Sequence, residues 1–184
     1  MLDFDLSSLD TQRIGRMGEL VVELELLARG WLVGNFNATT MNSAGWDLFA
    51  TKAGRSVKIR VKAKRPGTTS FAWSRRRDGR VFDLVSGDND DYVAAVSFET
   101  AGTPAVYLLP AQVVEHELLS STAEWLAGSK RDGGARKDTG VLRVHLDHRT
   151  GAVGHGYASR WASYCAAWSS LEGYIQPPSG AATA

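Results

Sequence analysis

One cysteine, Cys165, in a chain of 184 residues excludes an intramolecular disulfide and any zinc site built on cysteine pairs. The histidines, at positions 116, 145, 148 and 155, form no HExxH, so a structural metal site is not expected. No apolar run approaches the roughly 20 residues that a membrane helix needs. The start, Met1 to Asp10, is acidic and lacks the apolar stretch of a secretory signal. Together these absences make the cytoplasm the expected location. What is present is ordinary for a globular protein, with 43% hydrophobic and 22% charged residues. The length fits one domain with a sizeable core, expected over residues 1–176, with a disordered tail at 177–184.

Charge is scarce in total but not in one place. The formal net charge is +1, yet Lys52 to Arg80 holds eleven Lys or Arg against one acid, Asp78. The rest of the chain, with 10 basic and 19 acidic residues, is therefore acidic. A basic stretch on an acidic protein is the electrostatic footprint of a polyanion site. A solvated charged face gives the same composition, so spacing has to decide.

Residues 10–29 read as a helix. Ile14, Met17, Leu20, Val21, Leu24, Leu27 and Ala28 form one wide apolar face, with Asp10 as N-cap and Gly30 as the left-handed C-cap. Val22 and Leu26 fall off this stripe, which implies cover on a second side by another element or a partner chain. Strands are expected over 31–36 and 46–51, separated by a polar loop at 37–45. Over 57–64 the alternation is strict: Val57, Ile59, Val61 and Ala63 face one way, and Lys58, Arg60, Lys62 and Lys64 the other. Segments 71–77 and 80–85 flank Asp78-Gly79 as a hairpin. Strands follow at 92–98 and 105–109, joined by a turn with Gly102 and Pro104. Short helices are expected at 111–119 and 123–126, an exposed loop at 129–140, a strand at 141–146 and a helix at 157–171. No internal repeat is present.

The order of these elements carries a resemblance. Gly18-Glu19 lies in the first helix, followed by Ala-Arg-Gly-Trp at 28–31 and Gly45-Trp46-Asp47-Leu48. Then come Ile59-Arg60-Val61-Lys62, Asp91-Tyr92-Val93-Ala94 and Val106-Tyr107-Leu108-Leu109-Pro110. In this set the chain resembles the PD-(D/E)XK nuclease superfamily, specifically its small bacterial members, over about residues 12–116. The resemblance implies an α/β fold with a restriction-endonuclease-like core, a central mixed sheet flanked by helices over about 10–116. A helical extension would follow at 117–176. It also implies a metal-dependent endonuclease acting on DNA. Asp47, Glu19 and the carbonyl of Val61 would hold Mg²⁺ or Mn²⁺, with Lys62 beside the attacking water or the scissile phosphate.

The chemistry agrees with those residue types. Phosphodiester cleavage needs an activated water and stabilisation of negative charge on the phosphate, which a divalent ion on oxygen ligands and a nearby ammonium supply. Lys58, Arg60, Lys64, Arg65, Arg75, Arg76, Arg77 and Arg80 are candidate phosphate contacts. Phe71 and Trp73 among them read better as strand packing than as base platforms, and Trp161, Tyr164 and Trp168 as core or dimer packing. His145 and His148 read as flanking a turn rather than as a metal pair.

The departure from the family pattern is Arg60, where an acid or glutamine is usual. Two like unit charges about 4 Å apart repel by roughly 4 kcal/mol at an effective dielectric near 20, and a divalent ion would be repelled about twice as strongly. Three outcomes stay open: Glu19 or Glu23 replaces the missing ligand; one metal on Asp47 suffices; or the site binds phosphate through Lys58, Arg60 and Lys62 without cutting. Three functions follow: a metal-dependent DNA endonuclease, a nuclease-fold module that binds nucleic acid without cleaving it, and an interaction module whose basic strand meets an acidic protein. Paired cuts on a duplex would favour a homodimer.

Overall fold

Asp10 stops the extended backbone and starts the first helix. Its carboxylate accepts the Arg13 N–H at 2.8 Å, a cap that stabilises by about 1 kcal/mol. Helix α1 then runs over Thr11–Ala28, and Gly30, at φ +79°, turns the chain out of it. The computed structural model describes residues 6–36, 45–84, 90–98, 103–145 and 160–173. Most of the loop expected at 37–45, Val85, Gly102, Leu146, His148, the first residues of the helix expected at 157–171 and the tail lie outside them.

Strands β1 (Leu32–Asn35), β2 (Leu48–Lys52), β3 (Arg55–Lys64), β5 (Asp91–Ser97) and β6 (Ala105–Pro110) form a mixed sheet in the order β1-β2-β3-β5-β6. Only β3 and β5 run parallel; the other neighbours are antiparallel. Helix α2 (Ala111–Ala127) follows β6 directly. Strands β4 (Ser70–Ser74) and β7 (Val141–His145) pair as a second, two-stranded sheet. The result is an α/β fold with a five-stranded mixed sheet between helices.

Strand β5 is buried along its whole length, as expected for a parallel strand covered on both faces. Its alternate residues serve two cores. Tyr92, Ala94 and Val96 join Val57, Ile59 and Val61 of β3 under Ile14, Val22 and Leu26 of α1. Val93 and Ala95 join Val114 and Leu118 of α2, together with Phe71, Trp73, Leu142 and Val144 of the small sheet. Phe71 and Trp73 are thus core residues, as their alternation suggests, and so are Trp161 and Trp168.

Several expectations need correction. The buried face of α1 is Ile14, Gly18, Val22 and Leu26, a straight i, i+4 ridge. The expected stripe is largely outside: Leu20, Leu24 and Leu27 are exposed. Asp78-Gly79 does form a turn, with Gly79 N–H donating to the Arg76 carbonyl at 3.1 Å. The segment after it is not a strand, and β4 pairs with β7 instead. The Val81 and Phe82 N–H groups, which a hairpin would have paired, donate to the Glu115 carboxylate at 2.8 and 3.2 Å. The two short helices are one, α2. The helix expected at 157–171 is replaced, where described, by 3-10 turns at Ala162–Tyr164 and Trp168–Leu171. Ala166 between them has φ +52°, which a helix does not allow. A helical extension beyond α2 is therefore absent from the described residues.

The tightest contact between layers is at Gly18. A Cβ there would lie 2.6 Å from Ala63 Cβ and 3.5 Å from Val61 Cγ1, so only glycine lets α1 rest on β3 this closely. Gly18→Ala should cost about 1–3 kcal/mol through overpacking, read as a lower denaturant midpoint. Adding Ala63→Gly should recover part of that loss; a loss that the second change leaves untouched would place the strain elsewhere.

Candidate functional site

Strand β3 puts Lys58, Arg60, Lys62 and Lys64 on the face turned away from α1, because its apolar residues occupy the other. Cations on a half-buried face need partners, and the neighbouring strands supply two. The β2–β3 register, with Leu48 opposite Ile59, sets Asp47 across from Arg60. Asp47 is 8% exposed and tied down by its backbone. Its N–H donates to Ile59 O at 3.1 Å, and its carbonyl accepts from Phe36 N–H at 3.0 Å. Its Oδ2 accepts the Val61 N–H at 2.7 Å, and Arg60 Nε lies 3.5 Å from the same oxygen.

Strand β5 brings Asp91 beside Lys58. Lys58 Nζ is 2.9 Å from Asp91 Oδ1 and stands 5.3 Å above the Trp46 ring. Lys64, only 4% exposed, donates to the Thr68 carbonyl at 2.9 Å and faces the Phe71 ring at 5.9 Å. Lys62 differs from the other three: its side chain has no hydrogen bond or ion pair among the described residues. Burial, and then the neighbouring Arg60 guanidinium, push its pKa below the ordinary 10.5, against the pull of Asp47. An ammonium in that position is destabilised until an anion reaches it.

Glu19 enters from α1 immediately after the Gly18 contact. Its Oε2 accepts from Arg16 at 2.9 Å and from Asn35 Nδ2 at 3.4 Å. One turn on, Glu23 has a buried Oε2 without a hydrogen-bond partner. Asp47, Glu19 and the Val61 carbonyl are oxygen donors of the kind a divalent ion takes. Among the described residues, no three His, Cys, Asp or Glu lie close enough together to hold a metal. Glu19, on the α1 side, therefore does not join Asp47 in a metal site in this arrangement, and the Arg60 guanidinium stands at Asp47 instead.

The arginines downstream are mostly engaged. Arg75 pairs with Asp138 at 2.5 Å, Arg76 with Asp78 at 3.2 Å and Asp83 at 3.6 Å, and Arg80 with Glu115 at 3.4 Å. Arg65 reaches the Leu9 carbonyl at 3.5 Å. Arg77 has no partner among the described residues. The linear count of charge in this stretch missed Asp138 and Glu115, which arrive from distant elements. It also missed Asp91 as a member of the charged row; an acid opening a fully apolar strand was the available signal.

No protein-family model matches the chain, and no curated protein matches it by sequence. Among solved structures, it is similar to a bacterial homing endonuclease, I-Ssp6803I, with 18% identity and a TM-score of 0.50. The match covers 89% of this chain and 92% of that one. The likeness is one of fold, and it runs through nearly the whole of both molecules.

Proposed function

We propose that the chain is a metal-dependent endonuclease of the PD-(D/E)XK kind, acting on DNA phosphodiester bonds. The observation that carries this reading is Lys62: a half-buried ammonium with no partner, one strand away from a fixed carboxylate. A phosphate oxygen is the partner this position lacks. Lys62 would stabilise the charge that develops on the phosphate, and Asp47 would orient the attacking water. Arg60 would turn from Asp47 to a second phosphate oxygen, and the exposed Arg77 would contact the backbone beyond. Mg²⁺ or Mn²⁺, when bound, would supply a water acidic enough to attack at neutral pH; its holders on this chain would be Asp47 and the Val61 carbonyl, with Glu19 joining them only by a rearrangement of α1. The likeness in fold to a homing endonuclease supports a nucleic-acid substrate.

A second reading is favoured by the Arg60–Asp47 pair itself. If that pair persists on DNA, the same cations bind the backbone without cutting it. The expected result is nicking of supercoiled plasmid with Mg²⁺ or Mn²⁺ by the native chain, and at least about a hundredfold loss in Asp47→Ala and Lys62→Ala. Salt-sensitive binding without cutting would leave the binding reading in its place.

Arg60→Gln tests the obstruction directly. Calorimetric Mn²⁺ affinity should rise at least about tenfold, because a repulsion of several kcal/mol is removed. Asp47→Asn on that background should abolish the gain. Unchanged Mn²⁺ affinity in Arg60→Gln would show that Arg60 is no barrier.

A homodimer belongs to the same proposal. Leu24 is 65% exposed on α1 and Leu32 73% exposed on the edge strand β1, with Leu20 and Leu27 also open. Leaving a leucine in water forgoes about 1.5–3 kcal/mol, and a second copy of this face is the simplest cover. The native chain should run as a dimer in light scattering, and Leu24→Asp as a monomer. A native monomer at high concentration would remove the dimer from the proposal.

A further inference from the structure

Five of the six tryptophans are buried; Trp125, near the end of α2, is 44% exposed. A large aromatic plane left in water on a helix end calls for a reason. Its surroundings are organised. The Arg136 guanidinium lies 5.1 Å from the ring centroid and donates to the Trp125 carbonyl at 2.6 Å. Gly128 makes room for it, since a Cβ there would come within 2.9 Å of an Arg136 nitrogen. One face of the indole is thus covered and the ring is held in a fixed pose, which lowers the cost of ordering it around a ligand.

Trp125 lines an open cleft of about 230 Å³ between α2 and β7, with Ser121, Thr122, Asp138, Arg143 and His145 among its walls. Alternation along β7 turns Leu142 and Val144 into the core, leaving Arg143 outward. Arg143 has no partner among the described residues. Asp138 does not oppose an anion, because Arg75 neutralises it at 2.5 Å. Residues 129–145 hold five Lys or Arg and two Asp. The cleft is smaller than the roughly 300–1,000 Å³ of a site for a drug-sized ligand, which suits one ring system.

We propose that this cleft is a nucleobase site, in which one unpaired base of a DNA strand stacks on Trp125 while Arg143 takes an adjoining phosphate. The inference rests on the DNA-acting reading above, but uses none of the Asp47–Lys62 residues. Stacking on an aromatic face is tolerant of base identity, and the hydroxyls of Ser121 and Thr122 can both donate and accept. The site therefore selects unpaired over paired DNA, not one sequence over another.

The test is binding of a single-stranded oligonucleotide carrying 2-aminopurine, beside the matching duplex, at fixed salt. Trp125→Ala should weaken single-strand binding about tenfold, Trp125→Phe should retain most of it, and neither should alter duplex binding. Arg143→Gln should lower the salt dependence of single-strand binding by about one phosphate contact. Single-strand binding that is unchanged in Trp125→Ala overturns the proposal, as does a native chain that binds duplex alone. A native chain that binds neither form removes the DNA-acting reading as well. Free deoxyadenosine monophosphate binding as tightly as the oligonucleotide would overturn the strand as the source of the base.

Discussion

Four cations on one face of one strand are an electrostatic constraint that the rest of this molecule answers. Strand β3 must bury Val57, Ile59 and Val61 beneath α1, and strict alternation then commits Lys58, Arg60, Lys62 and Lys64 to the opposite face. Part-buried charges are costly unless met by counter-charge or dipoles. Asp91 meets Lys58, Asp47 meets Arg60, and the Thr68 carbonyl meets Lys64. Each partner comes from a different neighbour: β5, β2 and the turn after β3. The strand order of the sheet is thus also the arrangement that compensates β3, with Lys62 left over.

The layer behind β3 determines how firmly that face is presented. Gly18 lets α1 settle against Ala63 and Val61, so the backbone beneath Lys62 is pinned from the far side. The Val61 N–H, held in the same strand, is the donor that fixes the Asp47 carboxylate at 2.7 Å. A change at Gly18 would therefore reach the charged face through two residues of β3 rather than through any contact of its own. On the near side, α2 and the β4–β7 pair cover Val93 and Ala95 but leave the Lys62 row half-open.

How much of this the sequence disclosed varies with the physical origin of each feature. Period-two alternation in β3 and the acid opening near β2 are local patterns and were legible. The helix cap at Asp10 was legible for the same reason. The mixed sheet followed from the resemblance carried by the order of elements, and the pairing of Arg60 with Asp47 was not foreseen. Nor was the buried face of α1, because hydrophobicity alone scored Leu20, Leu24 and Leu27 above Gly18. Contact with a flat sheet instead selected the residue with no side chain and the ridge that runs through it. The partnering of β4 was misjudged because a good turn at Asp78-Gly79 does not compel the following residues to pair. Glu115, from a helix remote in sequence, takes the N–H groups that a hairpin would have used. Asp138 and Asp91 were missed as counter-charges because compensation is a property of space, not of the window in which a charge run is counted.

The Arg60–Asp47 pair ties phosphate binding to the electrostatics of the carboxylate. Arg60 keeps about a third of its side chain exposed while that of Asp47 is nearly covered, so the arginine is the mobile half. A phosphate offers the guanidinium a bidentate anion, but its departure strands a buried carboxylate, a situation that costs about 3–5 kcal/mol when nothing replaces the lost charge. The Lys62 ammonium, on the same face of β3 and already under the pull of Asp47, then becomes a counter-charge to it. Departure of Arg60 would move the Lys62 pKa back toward its ordinary value, since burial and then the Arg60 guanidinium lower it while the Asp47 carboxylate raises it. On this geometry an anion that draws Arg60 away also removes a charge that lowers the Lys62 pKa, so the two cations of β3 are coupled through Asp47.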